Sequence, residues 1–90
     1  MTKTFSIVVS GKVQGVFYRQ STKEFATSLD LKGEVRNMPD DTVEIIATGL
    51  SENIEKLIKW CWQGPPKAIV TNVTVKEIPE RSFDKFRIVR

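Results

Sequence analysis

Gly11-Lys12-Val13-Gln14-Gly15-Val16-Phe17-Tyr18-Arg19 stands between two kinds of periodicity, and reading it as a strand-to-helix loop decides the rest of the fold. Before it, Phe5, Ile7 and Val9 alternate with Ser6, Val8 and Ser10, the period of a strand in the interior of a sheet. After it, Tyr18, Thr22, Phe25, Ala26 and Leu29 recur at helical spacing, with Gln20, Lys23, Glu24 and Thr27 on the other side. Gly11 and Gly15 permit backbone angles that a side chain would forbid, so successive loop N–H groups can converge on one point rather than join a sheet. The helix contributes the positive end of its dipole. Arg19, in its first turn, adds a planar guanidinium that matches two phosphate oxygens. Taken alone, two glycines and an arginine more often describe an ordinary turn with a surface arginine.

Outward from the loop, Gly33 reads as the stop of the first helix and Val35 as the start of a second strand. Met38-Pro39-Asp40-Asp41 is a turn, and Val43, Ile45 and Ala47 alternate in a third strand that pairs with the second as a hairpin. Gly49 closes that strand and Ser51 is placed to cap a second helix, with Glu52 and Glu55 early, Lys56 and Lys59 later, and Ile54, Leu57, Ile58 and Cys61 on one face. Gly64-Pro65-Pro66 ends it. Ile69, Thr71, Val73 and Val75 mark a fourth strand, and Phe86-Arg87-Ile88-Val89 a short fifth. The order βαββαβ plus a strand predicts an α+β, ferredoxin-like sandwich over residues 1–90, one domain with two helices on one face of an antiparallel sheet. In that topology the first two strands run the same way with the third between them, so their C-terminal ends share one edge. Arg19 and Asn37 then face one small volume.

The composition narrows the chemistry. Ninety residues, 40% hydrophobic and 28% charged, fit one modest core, and no apolar run is long enough to span a bilayer. The opening residues lack the pattern of a secretory signal, which points to the cytoplasm. A lone cysteine, Cys61, forms no intrachain disulfide. There is no histidine, which excludes Ser-His and Cys-His nucleophilic machinery and the usual zinc sets. A net charge of +3 favours anionic partners without choosing among them.

The nine-residue loop resembles the signature of the acylphosphatase family, G-x-V-Q-G-V-x-[FY]-R. Gly33-Glu34-Val35-Arg36-Asn37 resembles the family's second signature, G-[aromatic]-V-x-N, and weaker echoes in Gly64-Pro65-Pro66-Lys67-Ala68 and Phe86-Arg87-Ile88 extend the likeness over nearly the whole chain. The resemblance implies a ferredoxin-like fold and hydrolysis of the carboxyl–phosphate bond of acyl phosphates. It puts the phosphate-binding arginine at Arg19 and the water-orienting asparagine at Asn37. The loop amides of Gln14, Gly15, Val16, Phe17, Tyr18 and Arg19 would bind the phosphate, with no metal and no organic cofactor. The expected partners are a small acyl phosphate and inorganic phosphate or a similar anion as product or inhibitor, with no nucleic acid or membrane, on a monomer. One departure is Glu34 in the aromatic slot, a charge expected to point to the solvent side of its strand.

Acyl phosphates suit a site without histidine, because the leaving carboxylate has a pKa of about 4 and departs without a proton donor. Fixed donors that stabilise phosphoryl oxygens do most of the work, and an amide can aim a water. The alternative is a non-catalytic phosphate- or RNA-binding module on the same fold. The third strand, Val43-Glu44-Ile45-Ile46-Ala47, lacks the aromatics an RNA platform needs. Elsewhere the plain readings win. Trp60 and Trp62 pack in part, Cys61 is a core hydrophobe, Asp40 and Asp41 are turn residues, Lys12 is exposed, and Tyr18 packs beneath the loop.

Overall fold

A computed structural model describes residues 2–90. Its elements are β1 (Thr2–Lys12), α1 (Tyr18–Ser28), β2 (Lys32–Asn37), β3 (Val43–Leu50), α2 (Ser51–Gln63), β4 (Ile69–Ile78) and β5 (Phe86–Val89). They form the expected βαββαβ arrangement with a fifth strand, in one sheet of order β4-β1-β3-β2-β5. β1 is antiparallel to β3 and β4, and β2 to β3, whereas β5 adds parallel to β2. β1, β2 and β5 therefore all point their C-terminal ends at the same edge.

Rows of residues across the sheet show why the chain folds this way. Val75, Ile7, Ile45, Val35 and Ile88 lie side by side, and Ile7, Ile45 and Val35 are fully buried beneath the helices together with Ile54, Leu57 and Cys61 of α2 and Tyr18 and Ala26 of α1. The next row, Val73, Val9, Val43 and Asn37, runs from apolar to polar. Three valines thus hold the backbone on which Asn37 stands.

Several local readings need correction. Gly11 and Lys12 belong to β1 rather than the loop, and the register with β4 shifts between Ser10 and Gly11. Gly11 has φ +120 and a Cβ there would lie 2.1 Å from the Ile69 carbonyl oxygen, so it serves a bulge, not the cradle. That bulge puts Val70, rather than Ile69 or Thr71, on the inward side with Val73 and leaves Ile69 exposed, breaking the simple alternation read for β4. Gly33 does not stop α1. The helix ends at Ser28 with Leu29 as its C-cap, Asp30 takes the left-handed turn (φ 58), and β2 starts at Lys32. Gly33 lies inside β2 at φ +153, where a Cβ would meet the Ile46 carbonyl oxygen. Ser51 is the first residue of α2, not its cap, and makes no capping hydrogen bond.

β4 and β5 occupy opposite edges, so residues 79–85 must cross about 19 Å of sheet, most of the reach of seven extended residues. The crossing is pinned midway: the Arg81 N–H donates to Thr4 Oγ1 (2.9 Å) and Thr48 Oγ1 donates to the Arg81 carbonyl (2.8 Å). Thr4 and Thr48 also touch each other at 2.7 Å.

Candidate active site

The edge shared by the ends of β1, β2 and β5 carries a cleft of about 390 Å³ lined by Val13, Gly15, Phe17, Tyr18, Arg19, Gln20, Asn37, Ile88 and Arg90. Arg19 and Asn37, expected to meet, both enter it. Gly15 has φ 74 and Phe17 φ 64, two left-handed residues separated by one, the alternation that turns successive N–H groups toward a common side. Gly15 needs no side-chain clearance, since nothing lies within 4 Å of where its Cβ would be. Phe17 adopts its angle without that freedom and stands 77% exposed, a local strain of about 1 kcal/mol or more held at the mouth of the cleft.

α1 starts without help. Phe17 occupies its N-cap position with no side-chain cap, and its first turn carries no acid. Among the described residues, no main-chain carbonyl accepts from the N–H groups of residues 14–19, and the first helical bond runs from Ser21 to the Phe17 carbonyl at 3.0 Å. Free N–H groups and an uncompensated helix dipole favour an anion there. Arg19, half-buried, adds a permanent positive charge. Of the six loop positions singled out from sequence, Gly15, Phe17, Tyr18 and Arg19 line the cleft. Gln14 and Val16 do not, and the Val16 side chain is in the core.

Asn37 ends β2 with its side-chain oxygen buried and, among the described residues, without a hydrogen-bond partner. A buried amide oxygen left unpaired costs about 1–3 kcal/mol, so its residue's place in the same cleft as Arg19 is informative. Tyr18 is the floor. It is buried, its hydroxyl donates to the Cys61 carbonyl at 2.7 Å near the end of α2, and its ring lies 5.4 Å from that of Trp60. Burial pushes the Tyr18 phenol up and the Cys61 thiol up to about 12, so neither ionises near neutrality. Trp60 stacks on Phe25 at 5.5 Å, as partial packing requires.

Glu34 does not meet solvent. It is 4% exposed on the sheet face away from the helices, where Arg36 and Arg87 both donate to its carboxylate. Burial opposes its charge, but the hydrogen bonds from Arg36 and Arg87 and the charges of Arg36 and Arg81 prevail, holding its pKa below the usual carboxylate range. It is not among the residues lining the cleft.

Ile88 and Arg90 were not anticipated at the site. The signal was topological: β4 runs opposite to β1 and ends at the far edge, a short crossing cannot climb back, and the following strand must run toward the cleft. Among the described residues, no group of three or more His, Cys, Asp or Glu is gathered closely enough to hold a metal ion.

Comparison with known proteins agrees with this fold. The sequence model described as Acylphosphatase matches residues 5–88. An acylphosphatase of Pelotomaculum thermopropionicum is 53% identical over 70 residues, covering 78% of this chain and 76% of the relative. One from Marinobacter nauticus is 48% identical over 82 residues, covering 90% and 89%. The solved structure of an acylphosphatase from Coxiella burnetii superposes with a TM-score of 0.95 at 41% identity, over 98% of this chain and 93% of the other.

Proposed function

The chain belongs to the acylphosphatase family and is an acylphosphatase, and we propose that it holds its substrate's phosphate with Arg19 and the main-chain amides of Gln14, Gly15, Val16, Phe17, Tyr18 and Arg19 while Asn37 directs the attacking water. The supporting observation is that Asn37 and Arg19 line the same cleft, with no hydrogen-bond partner on the Asn37 side-chain oxygen among the described residues. A water that donates to that oxygen has its lone pair free for phosphorus. Attack in line opposite the acyl oxygen breaks the P–O bond, the electron pair leaves with the carboxylate, and the water's proton passes to phosphate or solvent. The amides and guanidinium face charge that spreads over the phosphoryl oxygens at the transition state, so they lower the barrier without acid–base chemistry.

The substrate is a small acyl phosphate, and inorganic phosphate would occupy the same cradle as an inhibitor. We place the enzyme in the cytoplasm as a monomer, residues 1–90 forming one catalytic domain that uses neither metal nor organic cofactor. Among the described residues, no helix is long and apolar enough to cross a membrane. Acetyl phosphate hydrolysis in the presence of a chelator is the direct test. Activity should persist, and Arg19→Ala should lower kcat/KM by about a thousandfold and weaken phosphate inhibition. An Arg19→Ala enzyme within threefold of wild type would refute the assignment (about 0.7 kcal/mol or less).

A further inference from the structure

The two halves of the cleft hang from different strands, the loop from β1 and Asn37 from β2, with β3 between them. One side chain spans that gap. Gln14 Nε2 donates to the Met38 carbonyl and to the Thr42 carbonyl, each at 2.9 Å. These carbonyls frame the mouth of the β2–β3 turn. The turn is otherwise closed within itself: Met38 N–H donates to the Thr42 carbonyl (2.8 Å), Asp41 N–H to the Met38 carbonyl (3.1 Å), and Thr42 donates through N–H and hydroxyl to Asp40 Oδ1. Gln14 therefore takes the second lone pair of each framing carbonyl, and both its amide hydrogens are committed. Carbonyls only accept, so the orientation of the carboxamide follows.

We infer that the Gln14 side chain is a positioning residue that sets the Asn37 carboxamide at a working distance from the phosphate cradle, by locking the turn after Asn37 to the loop before Arg19. The inference rests on the site reading given above. Gln14 does not line the cleft, and with both hydrogens engaged its amide nitrogen has none left for substrate, so its side chain acts through Asn37. Asn37 is bonded directly to Met38, whose carbonyl Gln14 holds, so slack in the turn becomes displacement of the carboxamide. Displacements near 1 Å in a reacting assembly cost up to about a hundredfold in rate.

The test is a double-mutant cycle between positions 14 and 37, read by kcat on acetyl phosphate and by inhibition with inorganic phosphate. Gln14→Met, similar in length and without donors, should lower kcat about tenfold while the phosphate inhibition constant stays within about twofold. In an Asn37→Ala background the same substitution should change kcat by less than about twofold, because there is no carboxamide left to place. Gln14→Glu keeps the shape but turns an oxygen toward both carbonyls when ionised. It should fall at least as far as Gln14→Met, and it keeps the question answerable if the methionine variant does not fold.

Wild-type kcat in both variants overturns the inference. So does an equal loss with and without Asn37, or a weakening of phosphate binding as large as the loss in kcat, since either would make Gln14 a support of the loop alone. Failure of the underlying site reading looks different: Arg19→Ala and Asn37→Ala would themselves keep wild-type kinetics, which removes the basis of the clamp.

Discussion

Two polar side chains three residues apart on β2, Glu34 buried and Asn37 half-buried, are treated in opposite ways. Glu34, on the face away from the helices, has both carboxylate oxygens engaged by Arg36 and Arg87. Asn37, at the strand's end in a row of valines, has an oxygen with no partner. A buried charge left unpaired would destabilise the fold by several kcal/mol, so Glu34 persists only because two guanidinium groups enclose it. The unpaired amide carries a smaller penalty, about 1–3 kcal/mol, and persists where a substrate's water would complete it. Glu34 is tied into the sheet by its neighbours, whereas Asn37 lines the cleft with Arg19.

The contrast can be broken by exchanging which property each residue controls. Asn37→Ala should lower kcat by about a hundredfold with little change in phosphate inhibition, and should leave the thermal midpoint equal to or above wild type, because the unsatisfied oxygen is gone. A fall in stability as large as that in activity would return Asn37 to the structural class. Glu34→Ala should do the reverse, costing about 1–3 kcal/mol in denaturant unfolding while kcat/KM stays within about twofold. That figure sits below the range for a sealed pair because the side chains of Arg36 and Arg87 are 39% and 60% exposed and regain water.

The same carboxylate gives a pH signature. Its folded pKa lies below the unfolded value, so its contribution is complete above the ordinary carboxylate range and is lost as pH falls through the depressed folded value. The difference in unfolding free energy between wild type and Glu34→Ala should therefore shrink in acid and be constant near neutrality. The smallest effect expected is at Phe17: Phe17→Asn, a residue more tolerant of the left-handed region, should raise stability by about 0.5–1 kcal/mol, measured by urea unfolding. No gain there would show that the loop is not strained at that position.

The elements and the meeting of Arg19 with Asn37 were legible because they follow from periodicity and from the crossover rule for parallel strands. What escaped was set by neighbours distant in sequence. Gly11 and Gly33 look like loop punctuation, yet each is demanded by a carbonyl on the adjacent strand, of Ile69 and Ile46. Glu34 looks like a solvent-facing charge until β5 brings Arg87 beside it. The conformation of Phe17 has no signal in its residue type, since an aromatic is a poor choice for a positive φ. The direction of β5, and with it the arrival of Ile88 and Arg90 at the cleft, needed the sheet order.

The row Val73, Val9, Val43, Asn37 ties the chemistry to the girth of the core. Close-packed interiors pass displacements sideways rather than absorb them. A methyl group added or lost beside Val9 or Val43 would thus arrive at the row's far end as an offset of the carboxamide. On the proposed role of Asn37, substitutions among those valines should therefore register in turnover as well as in folding, unlike those in the purely apolar row alongside.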